Sequence, residues 1–133
     1  MTRTIGIVDA QAPVSATLAA AFSRAGYCTS AAHTFRDALA MMADAEPEAL
    51  VVSVELGAYN GLHVLLRCGV EHPATRVVVV GPASARIEQE ALALGAAAYL
   101  PRPLDIEDVV DTVESVLDAD AASAGAAPHV RHA

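Results

Sequence analysis

The chain has 133 residues, of which 54% are hydrophobic, and it carries a formal net charge of −8. This size and apolar content predict one folded domain and exclude a disordered chain, while the acidic balance makes nucleic acid an unexpected partner because it repels phosphate backbones. No apolar run is long enough for a membrane span and no secretory leader precedes the first apolar segment, so we expect a cytoplasmic protein without membrane contact.

Short apolar runs alternate with helical patterns along the chain. The third and fourth runs are continuous in Val and Leu, which is typical of strands covered on both faces. Each of the last four helical patterns is preceded by a residue suited to capping. The predicted strands are 4–8, 27–32, 49–54, 76–80 and 97–100, and the predicted helix caps are Thr34, Asn60, Ser84 and Asp105.

The alternation predicts a doubly wound α/β domain, with a parallel sheet and helices on both faces, over residues 1–118. From residue 119 to 133 the pattern gives way to Ala, Gly, Ser and Pro, which predicts a flexible tail or linker. Ligands of doubly wound folds bind beyond the carboxyl ends of the strands. The candidate site residues therefore stand at those ends, namely Asp9, Ala10, His33, Ser53, Glu55, Gly81 and Arg102.

Three catalytic or nucleotide-binding interpretations fail on the motifs. The first strand runs into VDAQAPVS, which has no glycine for a dinucleotide turn or a phosphate loop. Ser53 stands in VVSVE and not in the G-x-S-x-G elbow of a hydrolase. In a flavodoxin-like strand order Asp9 would also lie between His33 and Ser53, whereas a triad needs the histidine in the middle. We therefore predict that this chain is not an enzyme.

Three stretches in a fixed order carry a resemblance to a known family. They are IGIVDA at 5–10, PEALVVSVELGAYNGLHVLLR at 47–67, and ALALGAAAYLPRPLDIEDVVDTVESVL at 91–117. Over nearly all of residues 3–118 the chain resembles the receiver domain of bacterial two-component response regulators. The resemblance implies a flavodoxin-like (βα)5 sandwich with a five-stranded parallel sheet in the order 2-1-3-4-5.

The resemblance also implies which residues occupy the phosphoacceptor pocket of that family. Asp9 matches the first of two acids that hold Mg²⁺, and Ala10 stands at the second. Ser53 stands at the phosphoacceptor aspartate, Gly81 (or Val80) at the conserved hydroxyl, and Arg102 at the lysine. The expected consequence is a degenerate pocket in which Mg²⁺ binding is lost or weak, with no other cofactor.

Glu55 lies two residues after the acceptor position, so we expect Arg102 to reach Asp9, Glu55 or both and to hold the pocket in one state. The predicted function is a pseudo-receiver, a phosphorylation-independent protein interaction module in a two-component or related pathway. Two alternatives stay open. One is phosphorylation of Ser53 by an unorthodox route, for which Asp9 is the sole candidate base. The other is a small ligand in the vacated acidic pocket.

The family's usual contact face consists of the fourth helix, the fifth strand and the fifth helix. A protein partner is expected there, such as a histidine kinase, an output domain or another regulator, and alanine-rich helix surfaces are compatible with a homodimer. Tyr99 matches the aromatic residue that moves when receivers switch, and we interpret it as a core residue with its hydroxyl at the surface. The residues predicted for this face are Arg86, Glu90, Tyr99, Asp105 and Asp108.

Overall fold

The computed structural model describes residues 2–125, with side chains described as far as residue 119. The strands are β1 (Thr4–Val8), β2 (Cys28–Ala32), β3 (Ala49–Ser53), β4 (Glu55–Leu56), β5 (Tyr59–Asn60), β6 (Arg76–Gly81) and β7 (Ala98–Pro101). The helices are α1 (Ala12–Arg24), α2 (Phe35–Ala45), α3 (Gly61–Glu71), α4 (Ala85–Ala93) and α5 (Ile106–Gly125).

The main sheet is parallel and has the strand order β2-β1-β3-β6-β7. Strands β4 and β5 form a separate antiparallel ribbon of two residues each. With that ribbon set aside, the order is the predicted 2-1-3-4-5, so the flavodoxin-like (βα)5 architecture is confirmed. The register pairs Ser53 with Val80 and Gly81 with Pro101, which aligns the carboxyl ends of the central strands at one edge.

The hydrophobic core has one layer on each face of the sheet. Met42 of α2, Leu65 of α3 and Ala91 of α4 pack on one face. Phe22 of α1 and Val113 of α5 pack on the other. All five residues of β3 are buried, which is why its sequence reads as a continuous apolar run and not as an alternating one.

The helix starts follow from local side-chain chemistry. The Thr34 hydroxyl accepts a hydrogen bond from the Asp37 amide, and the Asn60 side chain accepts one from the Leu62 amide. Ser84 accepts from the Ile87 amide in the same way. These bonds satisfy amide groups that have no partner within the first turn of a helix, so the predicted caps are confirmed.

Helix α5 continues to Gly125, beyond the predicted end of the domain at residue 118 and into the stretch predicted to be a tail or linker. Residues 126–133 lie outside the described residues, so the flexible tail stays a prediction there. Among residues 2–125, no helix combines the length and apolar character that crossing a bilayer requires.

Candidate functional site at the carboxyl edge of the sheet

The site lies where four parallel strands end side by side. Asp9 follows β1, Ser53 is the last residue of β3, Gly81 is the last residue of β6 and Arg102 follows β7. The backbone amide of Arg102 donates to the carbonyl of Gly81 at 2.8 Å, which extends the pairing of β6 and β7 by one more bond. The fold therefore brings together residues that are far apart in the chain.

Ser53 is fully buried at the centre of this edge. Its hydroxyl donates a hydrogen bond to the backbone carbonyl of Glu55 at 3.3 Å. The same oxygen accepts a hydrogen bond from Nη2 of Arg102 at 2.6 Å. The hydroxyl thus uses its proton locally and receives a charged donor, so its burial leaves no polar atom unpaired.

The second terminal nitrogen of Arg102 donates to Oε1 of Glu55 in an ion pair. The Arg102 side chain is 35% exposed and that of Glu55 is 64% exposed, so solvent screens this pair and it contributes at most about 1 kcal/mol. The contact expected between Arg102 and Glu55 is present. Within residues 2–119, no hydrogen bond or ion pair joins Arg102 to Asp9.

Asp9 is only 3% exposed, and its Oδ1 accepts a hydrogen bond from the backbone amide of Gln11 at 2.9 Å. This bond orders the turn between β1 and α1. Asp9, Ala10, Glu55 and Arg102 all line one solvent-open cavity at the edge of the sheet. In the part of the chain that the structure describes, no three His, Cys, Asp or Glu side chains are grouped in a way that would hold a metal ion.

Tyr99 points into the space that Gly81 leaves free. It is 8% exposed, and its hydroxyl donates to the carbonyl of Pro82 at 2.5 Å. A Cβ at position 81 would lie 2.6 Å from the Tyr99 hydroxyl oxygen and 2.7 Å from Cγ2 of Val54. Burial raises the pKa of Tyr99 above its usual value, Arg102 opposes this rise, and Glu55 adds to it.

Tyr99 is a core residue, as expected, and its hydroxyl bonds to the carbonyl of Pro82. Tyr99 therefore adds little area to the predicted contact face. The other members of the set are exposed, Arg86 and Glu90 on α4 and Asp105 and Asp108 at the start of α5. Asp105 also accepts a hydrogen bond from the Glu107 amide, so it caps α5.

Sequence reasoning missed three features around the site. His33 pairs through Nε2 with the hydroxyl of Ser15 at 3.0 Å and not with Ser53. Gly57, with a φ of 60°, turns the chain between β4 and β5. Gly61 lets α3 start against β3, since a Cβ there would lie 1.9 Å from the Ser53 carbonyl oxygen. The sequence signal for the β4–β5 ribbon was the pair Gly57-Ala58, which separates two short segments that each contain one polar and one apolar residue.

Comparisons with known proteins agree on one family. The family described as response regulator receiver domain matches residues 5–114. Sporulation initiation phosphotransferase F of Bacillus subtilis is 28% identical over 119 residues, which cover 88% of this chain and 95% of that protein. Response regulator MprA of Mycobacterium ulcerans is 31% identical over 84% of this chain, which spans 48% of that longer protein. The chain spans only 24% of the regulatory protein AtoC of Escherichia coli.

Solved structures show the same fold. A CheY-like response regulator receiver domain protein from Methanospirillum hungatei superposes with a TM-score of 0.84 at 22% identity, covering 90% of this chain and 96% of that one. NtrX from Brucella abortus superposes with a TM-score of 0.87 at 22% identity, covering 94% of this chain and 29% of that one.

Proposed function

This chain belongs to the response regulator receiver domain family, and from that premise we propose that it is a pseudo-receiver that acts by binding proteins, without phosphorylation. Membership of the family assigns it to two-component signalling. The proposal adds that the site at the carboxyl edge of the sheet does not accept a phosphoryl group and is instead held by the contacts of Arg102 with Ser53 and Glu55.

The contact between Arg102 and Ser53 is the observation that carries this proposal. The guanidinium binds the residue at the acceptor position and, through its other terminal nitrogen, the Glu55 carboxylate. A cation fixed to the protein at this point provides the contacts that a bound metal and phosphoryl group would otherwise make between the ends of β3 and β7. The site is therefore held together in the absence of any modification.

The residues of the site fit a divalent cation poorly. Mg²⁺ takes oxygen ligands, usually one or two carboxylates together with water. Ala10 provides no side-chain oxygen, and Glu55 is already paired with a guanidinium. Asp9 is the one acid left, and one of its oxygens accepts the Gln11 amide. We therefore propose that Mg²⁺ binding is lost or weak.

Phosphorylation of Ser53 is disfavoured on the same geometry. A serine hydroxyl needs a neighbouring base to remove its proton before it attacks phosphorus. The Ser53 hydroxyl donates to a backbone carbonyl, its charged neighbour is the Arg102 cation, and its side chain is fully buried. A guanidinium donates protons in hydrogen bonds and does not accept them.

The output of such a module is the surface that it presents to a protein partner. The exposed residues Arg86, Glu90, Asp105 and Asp108 belong to the face formed by α4, β7 and α5. A histidine kinase, an output domain or another regulator with basic surface is the proposed partner, because this chain carries a net charge of −8.

Incubation with acetyl phosphate and Mg²⁺, followed by intact mass spectrometry, tests the proposal directly. The expected result is an unchanged mass for the wild type and for Ser53→Ala. An added phosphoryl group in the wild type that is absent in Ser53→Ala would establish phosphorylation of the serine and refute the proposal. A labile acyl phosphate formed on the Asp9 carboxylate by transfer from a histidine kinase would refute the proposal equally.

The open cavity beside Asp9 and Arg102 favours a small-ligand module as the second candidate function. Native mass spectrometry of the protein purified under mild conditions separates the two candidates. A bound metabolite that is lost in Arg102→Ala supports the ligand module, whereas a mass equal to that of the bare chain supports the protein-binding module.

A further inference from the structure

Two cavities adjoin at the carboxyl edge of the sheet. The first, which we call the polar cavity, is the solvent-open one beside Asp9 and Glu55, with a volume of about 570 Å³. The second, which we call the apolar cavity, lies between the start of α1 and the segment that follows β7, with a volume of about 370 Å³. Val14 and Arg102 line both cavities, so the two together have the size of a small-molecule site.

The walls of the apolar cavity are suited to a hydrocarbon group. Pro13 and Val14 of α1 line it on one side, and Leu104 and Ile106 line it from the segment after β7. Val14, Leu104 and Ile106 pack against the core but are only partly buried. An occupant that covers these side chains removes apolar surface from water, which favours binding.

Asp9 is the acid of the polar cavity that has no cationic partner. Its side chain is 3% exposed, and its Oδ1 accepts a hydrogen bond from the Gln11 amide. Glu55 is paired with Arg102, but no ion pair within residues 2–119 includes Asp9. Burying a carboxylate without a cation beside it costs free energy. A cationic group of a ligand in this cavity supplies the partner that the protein does not.

The other groups of the polar cavity select an organic cation. Both terminal nitrogens of Arg102 already donate, to Ser53 and to Glu55, so an anionic ligand meets the Asp9 carboxylate without a free terminal nitrogen to bind it. A divalent metal ion requires more carboxylate oxygens than the site leaves free. A protonated amine has three N–H donors and no acceptor, and the side-chain oxygens of Asp9 and Gln11 line the cavity as acceptors.

We infer that the two cavities together bind a small protonated amine that carries an apolar body. The ammonium group pairs with Asp9 in the polar cavity, and the hydrocarbon part extends past Val14 to Leu104 and Ile106 in the apolar cavity. This inference rests on the second candidate function, the ligand module, and names the class of ligand that such a module accepts. It does not depend on whether the face formed by α4, β7 and α5 binds a protein.

Titration of the isotope-labelled full chain with hexylamine at neutral pH, followed by amide NMR, tests the inference. Saturable shifts are expected at the amides of Gln11, Val14 and Leu104. Hexanol has the chain without the charge and methylamine has the charge without the chain, so each is expected to bind about tenfold or more weakly. A hexylamine titration without saturable shifts at these amides, or hexanol binding as tight as that of hexylamine, overturns the inference.

Asp9→Asn keeps an oxygen that can accept the Gln11 amide and removes the charge, so it is expected to weaken hexylamine binding about tenfold or more. Asp44→Asn is the matched control, because it removes the same charge at an exposed position near the end of α2, and it should leave binding unchanged. Hexylamine binding that survives Asp9→Asn contradicts the assigned site.

Leu104→Ala tests the apolar cavity separately. It should weaken hexylamine binding and leave the weaker binding of methylamine unchanged, because only the longer amine reaches this side chain. Equal losses for the two amines contradict the assigned position of the hydrocarbon part. A metabolite without an amino group, identified by native mass spectrometry, overturns the amine class and leaves the ligand module standing. A bare chain that also binds none of the three probes counts against both.

Discussion

The guanidinium of Arg102 donates a hydrogen bond to the fully buried hydroxyl of Ser53 at 2.6 Å, although 49 positions separate the two residues in the chain. The bond joins the end of β3 to the loop that follows β7. Because the Ser53 proton is already directed at the Glu55 carbonyl, the arginine is the donor in this contact.

Arg102→Lys is expected to lower the free energy of unfolding by about 1 kcal/mol, the scale of one hydrogen bond to a buried group. A lysine is a single point donor and does not reproduce the planar fork that contacts Ser53 and Glu55 together. Urea titration measures the loss. Arg86→Lys, at an exposed position on α4, is the matched control and should change stability by less than about 0.5 kcal/mol.

Gly81→Ala is expected to destabilise the fold by about 1–3 kcal/mol, because the new methyl group overlaps the Tyr99 hydroxyl and the Val54 side chain. The double variant with Tyr99→Phe removes the first overlap and leaves the second. Its loss should therefore be smaller than the sum of the two single losses. Urea titrations of the four proteins in the cycle measure this coupling, and strictly additive losses would show that Tyr99 does not occupy the space above Gly81.

The free energy of unfolding is expected to fall as the pH rises above about 10, the ordinary pKa of tyrosine. Burial raises the pKa of Tyr99 in the fold, so the unfolded chain loses the Tyr99 proton at a lower pH than the folded chain does. Alkaline conditions therefore favour the unfolded chain. The stability contributed by the protonated form is complete below the unfolded pKa and disappears as the pH passes through the folded one.

Burial, assisted by Glu114, raises the pKa of Tyr27 in the same direction, and burial also raises the pKa of the Cys68 thiol, so three groups contribute to the alkaline loss. Urea titrations between about pH 8 and pH 11 measure it. Tyr99→Phe should lower stability at neutral pH by about 1 kcal/mol, through loss of the bond to Pro82, while making the alkaline decline shallower. An alkaline decline as steep as that of the wild type would contradict the assigned role of Tyr99.

Gly61→Ala is expected to cost about 3 kcal/mol or more, since its methyl group would lie 1.9 Å from the backbone carbonyl oxygen of Ser53. A backbone atom inside a buried strand cannot move aside as the end of a flexible side chain does. Gly69→Ala, where the added methyl group meets nothing within 4 Å, is the control, and it should stabilise the chain by about 0.5–1 kcal/mol. Equal effects of the two substitutions would argue against tight contact between α3 and β3.

The sequence by itself determined the architecture. Short continuous apolar runs such as ALVVS favour strands covered on both faces, and capping residues such as Thr34 and Ser84 define helix starts through bonds to amides three residues away. Both signals are local, so they are readable along the chain. The parallel sheet then places Asp9, Ser53, Gly81 and Arg102 at one edge.

Only the tertiary structure decided which of these residues touch. It joined Arg102 to Ser53 and Glu55 but not to Asp9, directed His33 to Ser15, and put Tyr99 inside, over Gly81. Each choice depends on distances between segments that are far apart in the chain and on space that a missing side chain leaves open. Composition and spacing carry no record of such distances, because they arise only when the two core layers close on the sheet.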